Sequence, residues 1–205
     1  MRSYLFETDE HDALREQVRR WAHSEIAPHA PDWEEAEEFP RELYKKAAQA
    51  SMLGVGYPEE LGGGGGDVTH TVVACEEMIL AGRSVGTCVG LGSHGIALPP
   101  IVRHGTEAQK KKFVEPVLRG EKIAALAITE PGGGSDVASL RTKAVRDGDH
   151  YVVNGSKTFI TSGTRADILT TAVRTGGDKH GGISLLVIER DTPGFSVSKK
   201  LKKTG

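Results

Sequence analysis

Cysteine is nearly absent: Cys75 and Cys88 are the only two in 205 residues, and both fall in apolar stretches with helical spacing. That excludes a disulfide-stapled framework and a cysteine-based metal site, and it fits a reducing compartment such as the cytoplasm. An excess of charge of either sign is also missing. Lys and Arg number 26 against 28 Asp and Glu, a formal net charge of -2, so no general field attracts nucleic acid or an anionic membrane, and a polyanionic ligand needs a local site. Long apolar runs are lacking too. The start, Met1-Arg-Ser-Tyr-Leu-Phe-Glu-Thr-Asp-Glu10, turns acidic before any apolar run forms, which argues against a secretion signal or a membrane span. The eight histidines are scattered at spacings such as His94 to His104 that give no i,i+4 ligand pair, so no metal site is expected. Neither G-x-G-x-x-G nor GK[ST] opens a helix, and no internal repeat is found.

What is present divides into two textures. Leu14, Val18, Trp21, Ala22 and Ile26 recur at three or four residues, placing one apolar stripe on a helix over residues 8–28 with Thr8 as N-cap. Pro40 opens a second helix that stops near Gly54 and Gly56. Residues 67–81 and 85–104 read as two more helices, and Thr106 caps a fifth that ends at Gly120. This predicts an N-terminal all-α helical bundle over residues 1–121. After Glu121 the period shortens to two and β-branched residues take over. Strands are expected at residues 123–129, 141–146, 150–154, 157–161, 168–174, 183–189 and 195–198, with Asp147-Gly148 and Asn154-Gly155 as turns. The second domain, residues 122–205, is therefore expected to be a small antiparallel β-barrel or sandwich, and the fold class multidomain α and β. Short basic clusters at Lys110–Lys112 and around Lys199, Lys200, Lys202 and Lys203 read as solvated faces.

Two segments could carry chemistry. Ala127-Ile-Thr-Glu-Pro-Gly-Gly-Gly-Ser-Asp136 lies where a strand ends, and its three glycines between Thr129 and Ser135 let backbone N–H groups and hydroxyls converge on a phosphate or polar ring. A glycine-rich turn also occurs without any ligand, and the loop alone does not separate the two readings. In Asn154-Gly-Ser-Lys-Thr-Phe-Ile-Thr-Ser-Gly163, strand alternation puts Phe159 on one face with Lys157 and Thr161, and Ile160 on the other. An aromatic beside a hydroxyl suits a flat heteroaromatic ring, though a partly exposed strand looks the same.

Taken together, Ile128-Thr-Glu-Pro-Gly-Gly-Gly-Ser-Asp136 and Val153-Asn-Gly-Ser-Lys-Thr-Phe-Ile-Thr-Ser-Gly163 resemble the acyl-CoA dehydrogenase signature, and Asp191-Thr-Pro-Gly194 is similar to its later turn. Glu25-Ile-Ala-Pro28, Pro58-Glu-Glu-Leu-Gly-Gly63 and Gly105-Thr-Glu-Ala-Gln-Lys-Lys-Lys112 match further family segments in order. The resemblance implies FAD as cofactor. It places Leu126, Ala127, Ile128, Thr129, Gly134 and Ser135 along the flavin, with Thr129 at the pyrimidine edge and Ser135 near the phosphates and the CoA thioester. It also places Phe159, Ile160 and Thr161 beside the ring, with the Thr161 hydroxyl close to N5. The Gly62–Gly66 run matches a loop near the acyl pocket, though a flexible turn explains its glycines more readily. Two positions depart from the pattern: Leu126 stands where some members have an aromatic, and Phe159 where many have Trp.

By the same resemblance the reaction is α,β-dehydrogenation of an acyl-CoA thioester to a trans-2-enoyl-CoA, with an electron-accepting flavoprotein as partner and a homo-oligomeric full enzyme. The family's base, a Glu, comes from a C-terminal helical domain beyond the matched segment. No catalytic residue is therefore assigned here, and these residues alone are expected to hold FAD poorly and to be inactive. A flavin- or CoA-binding module acting through a partner chain is the alternative of a different class; an acyl-CoA oxidase is the nearest enzyme rival.

Overall fold

The computed structural model describes residues 7–177 and 179–202. The N-terminal residues 1–6, residue 178 and residues 203–205, which include Lys203 of the second basic cluster, lie outside the described residues. The chain forms two compact units. One takes residues 7–92, 101–121 and 202, and the other takes residues 93–100 and 122–201.

The first unit is helical: α1 (Asp9–Glu25), α2 (Ala30–Ala36), α3 (Glu42–Gln49), α4 (Val68–Gly82) and α5 (Val85–Leu91), with α8 (Glu107–Phe113) and α9 (Glu115–Leu118) later in the chain. The expected stripe of α1 is real, because Val18, Ala22 and Ile26 are fully buried where α1 packs along α4. Burial of Val18 and of Ile26 contributes roughly 1.5–3 kcal/mol each. The α1–α4 seam also encloses charge. Glu7 and Glu77 are buried, Glu7 accepts from Arg15 at 2.7 Å, and Glu77 takes both nitrogens of the Arg19 fork at 2.7 and 3.1 Å. Such pairs are costly to break singly, since the surviving charge stays dry. Helix α2 was not foreseen; Pro31, in its first turn, starts it after the α1 stripe ends. Cys75 and Cys88 are free thiols.

The 85–104 stretch, expected as one helix, is three: α5, α6 (His94–Ala97) and α7 (Pro99–His104). Pro99 and Pro100 cannot donate backbone bonds to a preceding turn, so a continuous helix cannot pass them. An 18-residue window of the stretch has a mean hydropathy of 1.3, but its pieces hold 7, 4 and 6 residues, each well below the roughly 20 that cross a bilayer. The 106–120 helix is likewise divided, with Pro116 in the first turn of α9.

The second unit is built on β1 (Ala124–Ala127), β2 (Lys143–Asp147), β3 (His150–Asn154), β4 (Ile168–Arg174) and β5 (Ile183–Glu189), with α6 packed on β1. The sheet is mixed, which corrects the purely antiparallel expectation. β1 runs parallel to β4 from Ala124↔Ile168 to Ala127↔Thr171, β2 meets β4 in parallel at Lys143↔Arg174, and β2–β3 and β4–β5 are antiparallel. The reason lies in β4, which is buried along Ile168–Val173. A central strand covered on both faces reads as continuous apolar sequence rather than alternation, so pairing direction is invisible in it. Buried hydroxyls there are satisfied: Thr170 Oγ1 donates to the Ala97 carbonyl at 2.7 Å, and Ser93 Oγ to that of Ala124 at 3.0 Å.

Two further expected strands, 157–161 and 195–198, join no sheet among the described residues. Phe159 and Ser162 have φ of 57° and 60°. That left-handed backbone destroys the pleat, so Phe159 does not share a strand face with Lys157 and Thr161. In the second case Phe195 closes a turn onto the Thr192 carbonyl.

Candidate functional site

Because β5 occupies one edge of β4 along its whole length, β1 and β2 share the other edge, one after the other. The chain therefore leaves the sheet at Ala127 and rejoins it at Lys143. Residues 128–142, the glycine-rich segment included, are expelled from the sheet as a loop. Its tip is a tight turn in which Glu130 and Gly133 exchange backbone hydrogen bonds at 3.0 and 3.1 Å. A short 3-10 turn over Val137–Ser139 follows, and Arg174 at the end of β4 ties it down, donating to the carbonyls of Ala138 at 2.6 Å and Leu140 at 3.2 Å.

The second motif is fastened to the first. The Thr158 amide donates to the Thr129 carbonyl at 2.9 Å, and Lys157 Nζ donates to the Ile128 carbonyl at 2.8 Å and to Glu130 Oε1 at 2.9 Å. Glu130 is the hub. It also accepts the Arg141 amide at 2.6 Å and the Thr142 amide at 2.8 Å. Burial works against its charge, but donors from Thr142, the Arg141 amide and Lys157 outweigh burial and hold the carboxyl down at about 2. Gly155 makes the approach feasible. Its φ of 156° is open only to glycine, and a Cβ there would stand 2.4 Å from Thr142 Oγ1 and 2.7 Å from Thr142 Cα.

The structure thus brings together segments 25 or so residues apart in sequence, although they are not adjacent strands. Ala127 is buried in the sheet; Leu126, Ile128, Thr129 and Ile160 are half-buried; Gly134, Ser135 and Thr161 are exposed. Phe159 is 63% exposed. An aromatic held in solvent by a left-handed backbone costs about 1–3 kcal/mol, a cost that persists only where the surroundings impose it. Sites for Cβ atoms on Gly132 and Gly133 meet nothing within 4 Å, while one on Gly134 would touch Thr129 Cγ2 at 3.2 Å. Loop backbone and Phe159 are accordingly open to an incoming molecule. Glu130 and Lys157 were not picked out from sequence, although opposite charges inside the two paired motifs were a usable signal.

This layout is found elsewhere. The family pattern described as "Acyl-CoA dehydrogenase, N-terminal domain" matches residues 8–121, and that described as "Acyl-CoA dehydrogenase, middle domain" matches residues 125–205. The chain belongs to the acyl-CoA dehydrogenase family. A short-chain specific acyl-CoA dehydrogenase of Clostridium acetobutylicum is 43% identical over 202 residues, which is 97% of this chain and 52% of that protein. The crystal structure of an acyl-CoA dehydrogenase from Geobacillus kaustophilus superimposes with a TM-score of 0.90 at 42% identity, covering 98% of this chain and 53% of the other. A glutaryl-CoA dehydrogenase from Mycobacterium smegmatis, solved in complex with FADH2, gives a TM-score of 0.84 at 30% identity over 97% of this chain and 51% of the other. The chain spans about half the length of the curated relatives it matches. A butyryl-CoA dehydrogenase from Megasphaera elsdenii also superimposes, with a TM-score of 0.83 at 32% identity over 99% of this chain and 54% of the other, so the fold by itself does not name the acyl group.

Proposed function

We propose that this acyl-CoA dehydrogenase family chain supplies one wall of an FAD site, and that the enzyme it contributes to oxidises an acyl-CoA thioester to the 2-enoyl-CoA. The observation that carries the reading is the Lys157–Glu130 latch, which holds the exposed Phe159 and Thr161 beside the strand end that bears Thr129. The residues of this loop pair fit a flavin. Phe159 offers an exposed apolar face, Thr129, Ser135 and Thr161 offer hydroxyls, and Gly132 and Gly133 put no side chain between the loop backbone and an incoming ring or pyrophosphate. Bound FAD would supply the two-electron acceptor. In this reading Thr129 orients the pyrimidine edge, Thr161 donates near N5, and Ser135 faces the phosphates and the thioester.

Abstraction of the thioester α-proton requires a carboxylate of raised proton affinity in a dry pocket. Glu130, the carboxylate inside the motif, is the opposite case: it is held near 2 and its oxygens serve Lys157 and two amides. Its role is to position the loop. The proposed partners are an acyl-CoA and an electron-accepting flavoprotein. The test is anaerobic mixing of the full-length protein with acyl-CoAs of graded length and branching while following the flavin band. Bleaching is expected with at least one of them, slowed tenfold or more in Thr161→Val through loss of a hydroxyl donor. A full-length protein that purifies without FAD and does not take it up would overturn the reading, and hydrogen peroxide release at the rate of turnover in a parallel aerobic assay would redirect it to an oxidase.

A further inference from the structure

The flavin reading leaves the two cysteines of the chain unused. Helix α4 ends at Gly82, where Arg83 takes a left-handed φ of 57° and closes the helix with its amide on the Ile79 carbonyl at 2.9 Å. Ser84 caps α5, its Oγ accepting the Thr87 amide at 3.1 Å. Only Arg83 and Ser84 link the two helices, and α5 packs against α4. This elbow brings Cys75, about two turns before the end of α4, to Cys88, about one turn into α5. The Cys88 thiol donates a hydrogen bond to the Cys75 sulfur. These are the only cysteines in the sequence, and the fold makes them a pair.

The two thiols differ in access. Cys75 is exposed, whereas Cys88 is buried, and neither is in a disulfide. Among the described residues no third His, Cys, Asp or Glu completes a metal-binding group around them. The hydrogen bond from Cys88 favours a thiolate on Cys75 and, against the opposing effect of burial, holds that thiol down at about 7, while Cys88 as donor is pushed up. We propose that Cys75 and Cys88 are a redox-responsive dithiol, which a hydroperoxide converts into an intrachain disulfide that staples α4 to α5.

Access sets the order of events. The exposed Cys75 thiolate attacks one oxygen of the hydroperoxide: an S–O bond forms, the O–O bond breaks, and the other oxygen leaves as water or an alcohol after taking up a proton. Sulfur is oxidised by two electrons to a sulfenic acid and the peroxide is reduced. The Cys88 sulfur then attacks Cys75, an S–S bond replaces the S–O bond, and the hydroxyl departs as water with the Cys88 proton. Two thiols and one hydroperoxide thus give one disulfide, one water and one further water or alcohol. The buried neighbour traps the sulfenic acid before a second oxidation. In a reducing compartment the pair rests as thiols and the disulfide is transient. The closed loop contains the elbow, so oxidation fixes the angle between α4 and α5, and α4 is the helix along which α1 packs.

The test treats reduced full-length protein, freed of reductant, with hydrogen peroxide or tert-butyl hydroperoxide and maps its peptides by mass spectrometry. Trypsin cuts after Arg83, between the two cysteines, so the disulfide joins peptides 47–83 and 84–103 that otherwise separate. The joined pair should appear on oxidation with the mass of two hydrogens lost and disappear with dithiothreitol. Amide exchange around the elbow should slow about threefold or more in the oxidised protein, because the staple restricts local opening. Cys75→Ser and Cys88→Ser should each abolish both effects; the peptide map of the parent stands even where a variant misfolds. A sulfinic acid on Cys75 beside a free Cys88 would overturn the proposal. So would a link between Cys75 of two chains, two free thiols after millimolar peroxide, or exchange at the elbow unchanged by oxidation.

Discussion

Replacing Glu130 by Gln tests whether the latch between the two motifs is a stabilising ion pair. The substitution keeps the shape and one acceptor oxygen but leaves the Lys157 ammonium, 10% exposed like Glu130 itself, without its counter-charge. Glu130 is depressed from an ordinary 4.5 to about 2, and at 1.36 kcal/mol per unit this gives roughly 3 kcal/mol as a ceiling. Solvent at the edge of the loop screens part of it, so about 1–2 kcal/mol is expected at pH 7. The sign follows from the direction: a carboxyl lowered on folding stabilises above its unfolded value and loses that contribution as pH falls through the folded one. The parent should therefore exceed the variant fully above about pH 5.5, and by roughly a tenth as much near pH 2. Denaturant unfolding of both proteins from pH 7 to pH 2, scored as the difference between them, cancels every other carboxylate. A difference that is absent at pH 7, or constant across the range, would refute the latch.

Other substitutions examine the same loop and the core. Phe159→Gly should relieve the φ of 57° and raise stability by up to about 1 kcal/mol, while weakening FAD binding in the full-length protein tenfold or more; unchanged flavin affinity would remove Phe159 from the site. Gly155→Ala should destabilise the second unit by about 2 kcal/mol or more, because a Cβ meets Thr142 at 2.4 Å on a backbone alien to alanine; calorimetry showing no loss would contradict it. Ile26→Ala, at a fully buried position, should cost about 2–5 kcal/mol by denaturant unfolding, and a cost below 1 kcal/mol would mean the α1 stripe is not a core.

Sequence alone determined what depends on local chemistry. The α1 stripe, the caps at Thr8 and Thr106, the change of period near Glu121 and the turn at Gly148 are set by spacing and by residues whose preference acts within a few positions, so they were legible. The motif pair was legible too, through its resemblance to a family signature rather than through the chemistry of either segment. The tertiary structure decided what those segments do. Alternation in residues 157–161 imitated a strand, yet Lys157 is drawn onto Ile128 and Glu130 and the backbone turns left-handed at Phe159. Strand direction was hidden because β4 is covered on both faces, and a fully buried strand carries no alternating signal.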